Sequence, residues 1–255
     1  MLIIKAGGSA ITLKKELLKP KTEVIKSLAF ELSGIKERFI LVHGAGSYGH
    51  PLAKRFELDR GFKNPSQRAE FSRLRFELIQ LNQLLIESLI ERGMDALSIQ
   101  PSACMICENK RIERSFLEPI KEFLEIGFVP VLYGDMVSDL ELGFCVLSGD
   151  QIAVHLAKEL GARKVIFGCD VDGIFTSDPK ENEGAELMRE IRFSELDSVI
   201  EKTSEVGDIT KGMMGKLKEI QNLSGKQIEI DIINLCKPKR LRDAILDRVY
   251  GTRIF

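Results

Sequence analysis

The chain has 255 residues, of which 44% are hydrophobic and 29% are charged. These fractions are typical of a folded globular protein, and the length allows one large α/β domain or two smaller lobes. Lysine and arginine total 37 against 38 aspartate and glutamate residues, so the formal charge is −1. That balance argues against a nucleic-acid-binding surface, although a local basic cluster could still hold a small anion.

The amino terminus and the cysteines indicate the cellular location to expect for the protein. The first residues lack the basic region and long apolar core of a signal peptide. No apolar run reaches the roughly 18 residues of a membrane span. The 5 cysteines, an odd number, argue against a disulfide framework, and the pair Cys104 and Cys107 lacks the second ligand pair of a zinc site. We therefore expect a cytoplasmic protein without a membrane segment.

Apolar runs alternate with helical periodicity along the chain. The predicted strands, in chain order, are 2–5, 38–42, 96–99, 128–133, a hairpin over 136–147, 164–169 and 227–233. The predicted helices are 21–34, 66–92 (one helix or a bent pair), 115–126, 149–161, 212–223 and 238–247. Strands that alternate with helices predict a mostly parallel sheet covered on both faces, with ligands at the carboxyl ends of its strands.

Five segments at the ends of predicted strands or the starts of predicted helices are rich in glycine or in glycine with acidic residues. They are 5–9 (KAGGS), 43–50 (HGAGSYGH), 148–150 (SGD), 168–179 (GCDVDGIFTSDP) and 208–216 (DITKGMMGK). Glycine lets the backbone approach a ligand, and amide groups in a turn or at a helix N-terminus bind anions. Turns use glycine anyway, so one such segment is weak evidence. Several of them, with Lys5, Lys14 and Lys216 nearby, predict a polyphosphate site.

The segment at 43–50 also spells G-x-G-x-x-G, the pattern of dinucleotide-binding proteins. That pattern should be followed about 20 residues later by an acidic residue at the end of a second strand. The corresponding region, 65–76, has the pattern of a helix, and Pro51 indicates a new helix that begins near His50. The P-loop and protein-kinase motifs are absent. An NAD-dependent oxidoreductase is therefore a distant alternative.

The glycine-rich motifs and their order resemble the amino acid kinase superfamily from residue 5 to residue 216. The segment DVDGIFTSDP is fairly specific for that superfamily. Within it, the G-H-P sequence at 49–51, the SIQPS and LSGDQIA segments and the closing GT are similar to isopentenyl phosphate kinases. The resemblance implies a single domain with a three-layer αβα sandwich around a mostly parallel sheet. It also implies an acceptor-binding N-terminal lobe (about 1–147), an ATP-binding C-terminal lobe (about 148–255) and a homodimer.

The resemblance further implies a reaction and a set of site residues. Isopentenyl phosphate kinases transfer a phosphoryl group from Mg-ATP to isopentenyl phosphate, giving isopentenyl diphosphate in isoprenoid biosynthesis. ATP would bind at Lys5, Ala6, Gly7, Gly8, Ser9, Gly46, Asp170, Gly212 and Lys216. The acceptor would bind at Ala45, His50 and Gly149, and the catalytic residues would be Lys5, Lys14 and His50. Mg²⁺ would accompany ATP rather than occupy a protein site, with Asp150 reaching it through water.

Three positions depart from the family pattern. Ala45 stands where a glycine is usual, and alanine adopts fewer backbone conformations. Lys211 stands where the family has the first of two glycines, which either weakens an anion-binding turn or adds a positive charge near ATP. Position 6 is alanine where larger apolar residues are common, a change that we expect to matter little.

Transfer between two phosphates makes specific chemical demands. The second pKa of a phosphate monoester is about 6, so the acceptor oxygen is anionic near pH 7 and no general base is required. The two anions must be aligned and the spread charge of the transition state stabilised, which suits lysines and backbone amides. Lys5, Lys14, Lys216 and His50 could supply these groups. Acidic residues such as Asp150 would orient the lysines.

Several of these residues also have a purely structural interpretation. His50 could begin a helix without touching a ligand, and Lys14 lies in a charged run typical of a surface. We expect His43 to be structural at the end of its strand and His155 to pack or face solvent within its helix. The apolar part of the substrate needs an apolar wall, for which the long helix offers Phe71, Leu74, Phe76 and Leu78, although each could simply pack the core.

Other functions stay open at this point. A fosfomycin-type kinase is the nearest alternative, because it too accepts a phosphorus oxyanion. Kinases of glutamate, aspartate or carbamate would not obviously need His50, and a UMP kinase would need base-reading groups that the sequence does not offer. A non-catalytic nucleotide sensor is disfavoured because Lys5, Lys14 and Lys216 are all present.

Overall fold

The computed structural model describes residues 1–177, 179, 182–205 and 211–255, except for the side chains of 202–205 and 211. Its strands are Leu2–Ala6 (β1), Phe39–His43 (β2), Ala96–Ser98 (β3), Met105–Glu108 (β4), Arg111–Ser115 (β5), Val129–Tyr133 (β6), Asp135–Asp139 (β7), Gly143–Leu147 (β8), Lys164–Cys169 (β9), Ile174–Phe175 (β10), Leu187–Met188 (β11), Glu190–Ile191 (β12), Glu229–Asn234 (β13) and Gly251–Ile254 (β14). Its helices are Gly8–Ile11 (α1), Thr22–Leu32 (α2), His50–Arg55 (α3), Gln67–Ile90 (α4), Pro101–Cys104 (α5), Glu118–Glu125 (α6), Gly149–Glu159 (α7), Phe193–Glu205 (α8), Lys211–Ile220 (α9) and Arg240–Ile245 (α10).

An eight-stranded sheet organises the molecule, with the strand order β12-β14-β13-β9-β1-β2-β6-β3. β1 lies at its centre and pairs in parallel with β2 on one side and with β9 on the other. β14 runs antiparallel to β13, and β12 follows the direction of β14, so the sheet is mostly parallel. The first 147 residues supply one half of the sheet and the later residues supply the other half.

Helices cover both faces of this sheet. The buried strands are nearly continuous apolar runs, as expected where both faces are covered. In β1, Leu2 and Ile4 belong to one hydrophobic core, whereas Ile3 belongs to the other. Side chains of α2, α4 and α10 complete the first core, and side chains of α6, α7, α8 and α9 complete the second. The three-layer αβα sandwich is therefore confirmed.

Helix α4 is one continuous helix of 24 residues rather than a bent pair. Its buried leucines recur at steps of three and four residues, at Leu74, Leu78, Leu81 and Leu85. Gly93, with φ +75°, adopts the left-handed conformation that commonly follows a helix end. In the described part of the chain, neither α4 nor any other helix has the length and apolar character needed to cross a membrane.

A second sheet, ordered β5-β4-β7-β8, contains one predicted hairpin and one that the sequence pattern does not reveal. The predicted hairpin is β7–β8. The other is β4–β5, which turns at Asn109 and Lys110, two residues with positive φ. The helix predicted over 115–126 begins only at Glu118, because Ser115 still pairs with Met105 in this hairpin. Polar residues dominate β5, so it lacks the apolar signal of a buried strand.

Candidate active site

A cavity of about 540 Å³ lies at the carboxyl ends of β1, β2 and β9. Its volume is in the usual range for a small-molecule site. It is lined by every predicted site residue except Ala6, together with Asp150. The Ala6 side chain lies in the hydrophobic core instead, so only its backbone could serve a ligand. Residues 208–210, part of the last glycine-rich segment, and Asp178 lie outside the described residues.

The first glycine segment (5–9) and the second glycine segment (43–50) press against each other. A Cβ on Gly8 would lie 2.3 Å from the backbone nitrogen of Gly46. Gly46 has φ +50°, and a Cβ there would lie 2.7 Å from the carbonyl oxygen of Gly8. These glycines are therefore required by contact between the two segments, whatever ligand they also face.

The glycines of α9 have different surroundings. Gly212 and Gly215 both line the cavity, and a Cβ at either position would meet no heavy atom within 4 Å in the described part of the structure. Glycine within a helix costs about 1 kcal/mol relative to alanine. Because no described neighbour requires glycine here, the open space is consistent with the close approach of a ligand.

Two lysines share one carboxylate inside the cavity. Nζ of Lys5, from β1, and Nζ of Lys216, from α9, each lie 2.7 Å from Oδ1 of Asp150. Asp150 occupies the first turn of α7, whose N-cap Ser148 accepts a hydrogen bond from the backbone N–H of Gln151. The shared contact brings residues 5, 150 and 216 together. With both lysines protonated, this trio holds two positive charges against one negative charge.

The trio has perturbed protonation equilibria. Burial lowers the pKa of Lys5, an effect that Asp150 opposes and the charge of Lys216 reinforces. Although burial works in the other direction, Asp150 raises the pKa of Lys216. Burial likewise disfavours ionisation of Asp150, but the two lysines hold its pKa far below the usual range. Lys216 also lies 4.7 Å from the ring centre of Phe167 in β9.

A second acid orients Lys14 at the cavity wall. Nζ of Lys14 lies 2.9 Å from Oδ2 of Asp170, and the hydroxyl of Ser9 donates to Oδ1 of the same carboxylate at 2.9 Å. The Lys14 side chain is 53% exposed, unlike the buried Lys5 and Lys216. Lys14 can therefore reach a ligand in the cavity without a rearrangement of the core.

The second glycine segment brings His50 to the cavity. His50 begins α3, with Pro51 in the first turn, as the sequence predicts. Loss of water around the ring, followed by the charge of Lys5, lowers the pKa of His50. Ala45 has φ −72° and ψ −30°, an ordinary right-handed conformation. Alanine is therefore unstrained at this position, despite the glycine that the family usually has there.

Apolar side chains also line the cavity, and most of them come from elements of the first 147 residues. These are Pro51, Ala53, Leu74, Leu78, Met136, Val146 and Leu147, and the later residues add Val171 and Met213. Of the four residues that the sequence offers on the long helix, Leu74 and Leu78 line the cavity, whereas Phe71 and Phe76 do not. Phe71 packs beside Phe144 outside the cavity, and Phe76 is 58% exposed because it lies on the opposite side of α4.

The remaining histidines lie outside the cavity. His43 is fully buried at the end of β2, with Nε2 3.2 Å from Oδ1 of Asn82 and the ring stacked near Tyr133. Burial lowers the pKa of His43 to about 4. Nε2 of His155 lies 2.8 Å from Oγ of Ser115. Both residues have structural partners, in keeping with their predicted roles.

The carboxylates at the cavity bear on how a magnesium ion could be held. Oδ1 of Asp150 already contacts two ammonium groups, so direct coordination of a cation there is unfavourable. In the described residues, no group of three or more His, Cys, Asp or Glu side chains could hold a metal ion. Asp150 is therefore committed to Lys5 and Lys216.

Comparison with known proteins identifies the family to which the chain belongs. Residues 1–234 match the model of the amino acid kinase family. The chain belongs to the amino acid kinase family. Within the family, it is 36% identical to isopentenyl phosphate kinase of Methanothermobacter thermautotrophicus over 100% of this chain and 98% of that protein. It is 34% identical to isopentenyl phosphate kinase of Thermoplasma acidophilum over the full length of both.

Solved structures of amino acid kinases extend the comparison to the fold. A product complex of Thermoplasma acidophilum isopentenyl phosphate kinase has a TM-score of 0.85 and 32% identity, with 100% of each chain covered. A further isopentenyl phosphate kinase structure has a TM-score of 0.88 and 34% identity, also over 100% of each chain. This chain thus falls in the isopentenyl phosphate kinase group of the family in both sequence and fold.

Proposed function

We propose that this protein is a kinase that transfers the γ-phosphoryl group of ATP to isopentenyl phosphate, giving isopentenyl diphosphate and ADP. The observation that carries the proposal is the convergence of Lys5 and Lys216 on Asp150 in a cavity that also has an apolar wall. The surplus positive charge of this trio suits a polyphosphate. The apolar side chains suit a short hydrocarbon tail.

ATP would occupy the side of the cavity formed by the first glycine segment and α9. The backbone amides of Gly7, Gly8 and Ser9 would meet its phosphates, with Lys216 on the outer ones. The open space at Gly212 supports close approach of the nucleotide. Asp170 would orient Lys14, which it contacts at 2.9 Å. In this proposal residues 148–255 supply most of the ATP-binding lobe.

The acceptor would occupy the side formed by residues 1–147. Its phosphate would meet the backbone of Ala45, the side chain of His50 and the start of α7 at Gly149, all of which line the cavity. Its hydrocarbon tail would lie against Leu74 and Leu78. A dianion beside His50 would raise the pKa of the imidazole and favour its charged, doubly donating form.

The chemistry needs alignment and charge rather than a base. The acceptor phosphate already presents an anionic oxygen, which attacks the γ-phosphorus as the bond to the β-phosphate oxygen breaks. Lys5 and Lys14 would stabilise the charge on the transferred group. Asp150 would hold Lys5 and Lys216 in place without approaching the acceptor oxygen. Mg²⁺ would neutralise part of the triphosphate charge.

A substrate panel tests the proposal. The purified protein is incubated with Mg-ATP and, separately, with isopentenyl phosphate, fosfomycin, UMP or acetylglutamate, and ADP is measured. We expect ADP with isopentenyl phosphate above all, together with a diphosphate product by phosphorus NMR. ADP formed preferentially with another acceptor would refute the substrate assignment. The homodimer and the cytoplasmic location stay predictions.

A further inference from the structure

Thr12 joins the two glycine segments through its hydroxyl. It is fully buried just after α1, and nothing in its sequence context marks it as functional. Its Oγ1 donates to the carbonyl oxygen of Gly8 at 2.8 Å and accepts from the backbone N–H of Ser47 at 2.9 Å. A hydroxyl can form both bonds at once, because it has one donor and two acceptor sites. One side chain therefore links both segments.

The packing around this hydroxyl leaves little freedom. Oγ1 would be 2.1 Å from a Cβ on Gly46, so the second glycine segment passes directly over it. The backbone N–H of Thr12 also donates to the carbonyl oxygen of Gly8, at 2.9 Å. The first segment is thus held from two atoms of Thr12. The hydroxyl sets its separation from the second segment.

We propose that Thr12 is a positioning residue for phosphoryl transfer. The inference rests on the proposed function, in which the first segment holds the donor phosphates and Ala45 and His50 of the second hold the acceptor phosphate. The Thr12 hydroxyl is committed to Gly8 and Ser47, so it acts through these segments rather than on either phosphate. Its role is to fix the distance between donor and acceptor.

This role has a kinetic signature. Reacting atoms must lie about 3–3.5 Å apart and in line, and a 1 Å misplacement can cost about 100-fold in rate. Each glycine segment can still follow its own ligand when the other ligand is absent. Loss of the link should therefore reduce turnover with both ligands bound and leave the binding of each single ligand nearly unchanged.

The test compares Thr12→Val, which keeps the shape and removes the hydroxyl, with Thr12→Ser, which keeps the hydroxyl. We expect Thr12→Val to lower kcat by roughly 30- to 100-fold. The Kd values of a non-hydrolysable Mg-ATP analogue and of isopentenyl phosphate, measured separately by calorimetry, should change less than about threefold. Thr12→Ser should retain kcat within about threefold of wild type.

Thr252→Val is the matched control. Thr252 is also fully buried, and its Oγ1 accepts from the backbone N–H of Ile174 at 2.8 Å and donates to the carbonyl oxygen of Met188 at 2.6 Å. It makes the same two kinds of bond as Thr12, but it does not line the cavity. We expect Thr252→Val to lower the melting temperature about as much as Thr12→Val and to leave kcat unchanged.

The outcomes separate this inference from the proposed function. If Thr12→Val loses no more kcat than Thr252→Val, or if its loss is a weaker Kd for one ligand, the positioning role is wrong. If the wild type does not phosphorylate isopentenyl phosphate, the proposed substrate is wrong, and the variants are compared on the panel acceptor that it does phosphorylate. A wild type that phosphorylates no acceptor overturns both.

Discussion

Lys5 and Lys164 are buried lysines on neighbouring strands, and their surroundings are opposite. Lys5 lies near the carboxyl end of β1, where it shares a single carboxylate with Lys216. Lys164 begins β9, at the opposite end of the strands from the cavity, where three carboxylates surround it: Glu229, Asp231 and Asp247. Arg253 contacts the same carboxylates. The cavity trio has two cations for one anion, and the Lys164 cluster has two cations for three anions.

The protonation of the two lysines reflects this difference. Burial lowers the pKa of Lys5, and Lys216 adds to that effect. Burial also opposes the charge of Lys164, yet Asp247, Asp231 and Glu229 together raise its pKa. A buried charge that serves stability is compensated by the protein itself. The cavity trio keeps a positive surplus, which an anionic ligand can compensate, and this contrast supports a polyphosphate site there.

The largest expected effect is that of Lys5→Met on turnover. We expect kcat to fall about 10³-fold, because a cation that stabilises the transferring phosphoryl group is worth at least that much in related chemistry. The melting temperature should change little, since Asp150 keeps its contact with Lys216. Steady-state kinetics and thermal denaturation check both parts. A variant that unfolds instead would make Lys5 structural, like Lys164.

Lys164→Met should show the reverse pattern. Breaking a buried ion pair costs about 3–5 kcal/mol, and we expect the lower end because Arg253 still contacts Asp231 at 2.8 Å. For a chain of this size, a loss of about 3 kcal/mol lowers the melting temperature by roughly 10 °C. The kcat of the folded variant should match wild type when assayed well below that temperature. A large loss of kcat in the folded protein would contradict the division of roles.

The sequence predicts much of the fold because its signals are local. Apolar runs mark β1, β6 and β9, and glycines end α4 and α7. The hairpin β4–β5 escapes prediction because it is polar, and its turn uses Asn109 and Lys110 rather than glycine. The four-residue β14 is recognised only from its pairing with β13.

The sequence indicates which residues belong to the candidate site, but it does not reveal the contacts between them. The resemblance indicates Lys5, Lys216 and Asp150, yet only the folded chain shows that both lysines meet one carboxylate oxygen, across 145 and 66 residues of sequence. Glycine is also required at these positions for a reason that the sequence pattern does not reveal, which is the contact between Gly8 and Gly46. Thr12 has no sequence signal, because its two bonds exist only after the segments pack.

Lys14→Ala should have an intermediate effect. Lys14 is more exposed than Lys5, and its ammonium group contacts Asp170 at 2.9 Å. If it acts mainly on the transition state, kcat should fall about 100-fold while the KM values change little. The melting temperature should not move, because an exposed ion pair contributes less than about 1 kcal/mol. Equal losses in kcat/KM and substrate affinity, with normal kcat, would assign Lys14 to binding alone.

The smallest expected effect is a change in the protonation of His50 when the acceptor binds. In the free protein, loss of water and the charge of Lys5 lower the pKa of His50, so the ring is neutral near pH 7. A bound acceptor dianion raises that pKa, so binding should add up to about one proton to the ring. Affinity of the wild type should therefore fall as pH rises from about 6 to 8, relative to His50→Gln, whose side chain cannot ionise.

Calorimetry in buffers of different ionisation enthalpy measures the proton uptake. Protons released by the phosphate itself are common to both proteins and cancel in the comparison. Identical uptake by the two proteins would show that His50 stays neutral and does not compensate the acceptor charge, leaving that task to the lysines and amides of the cavity.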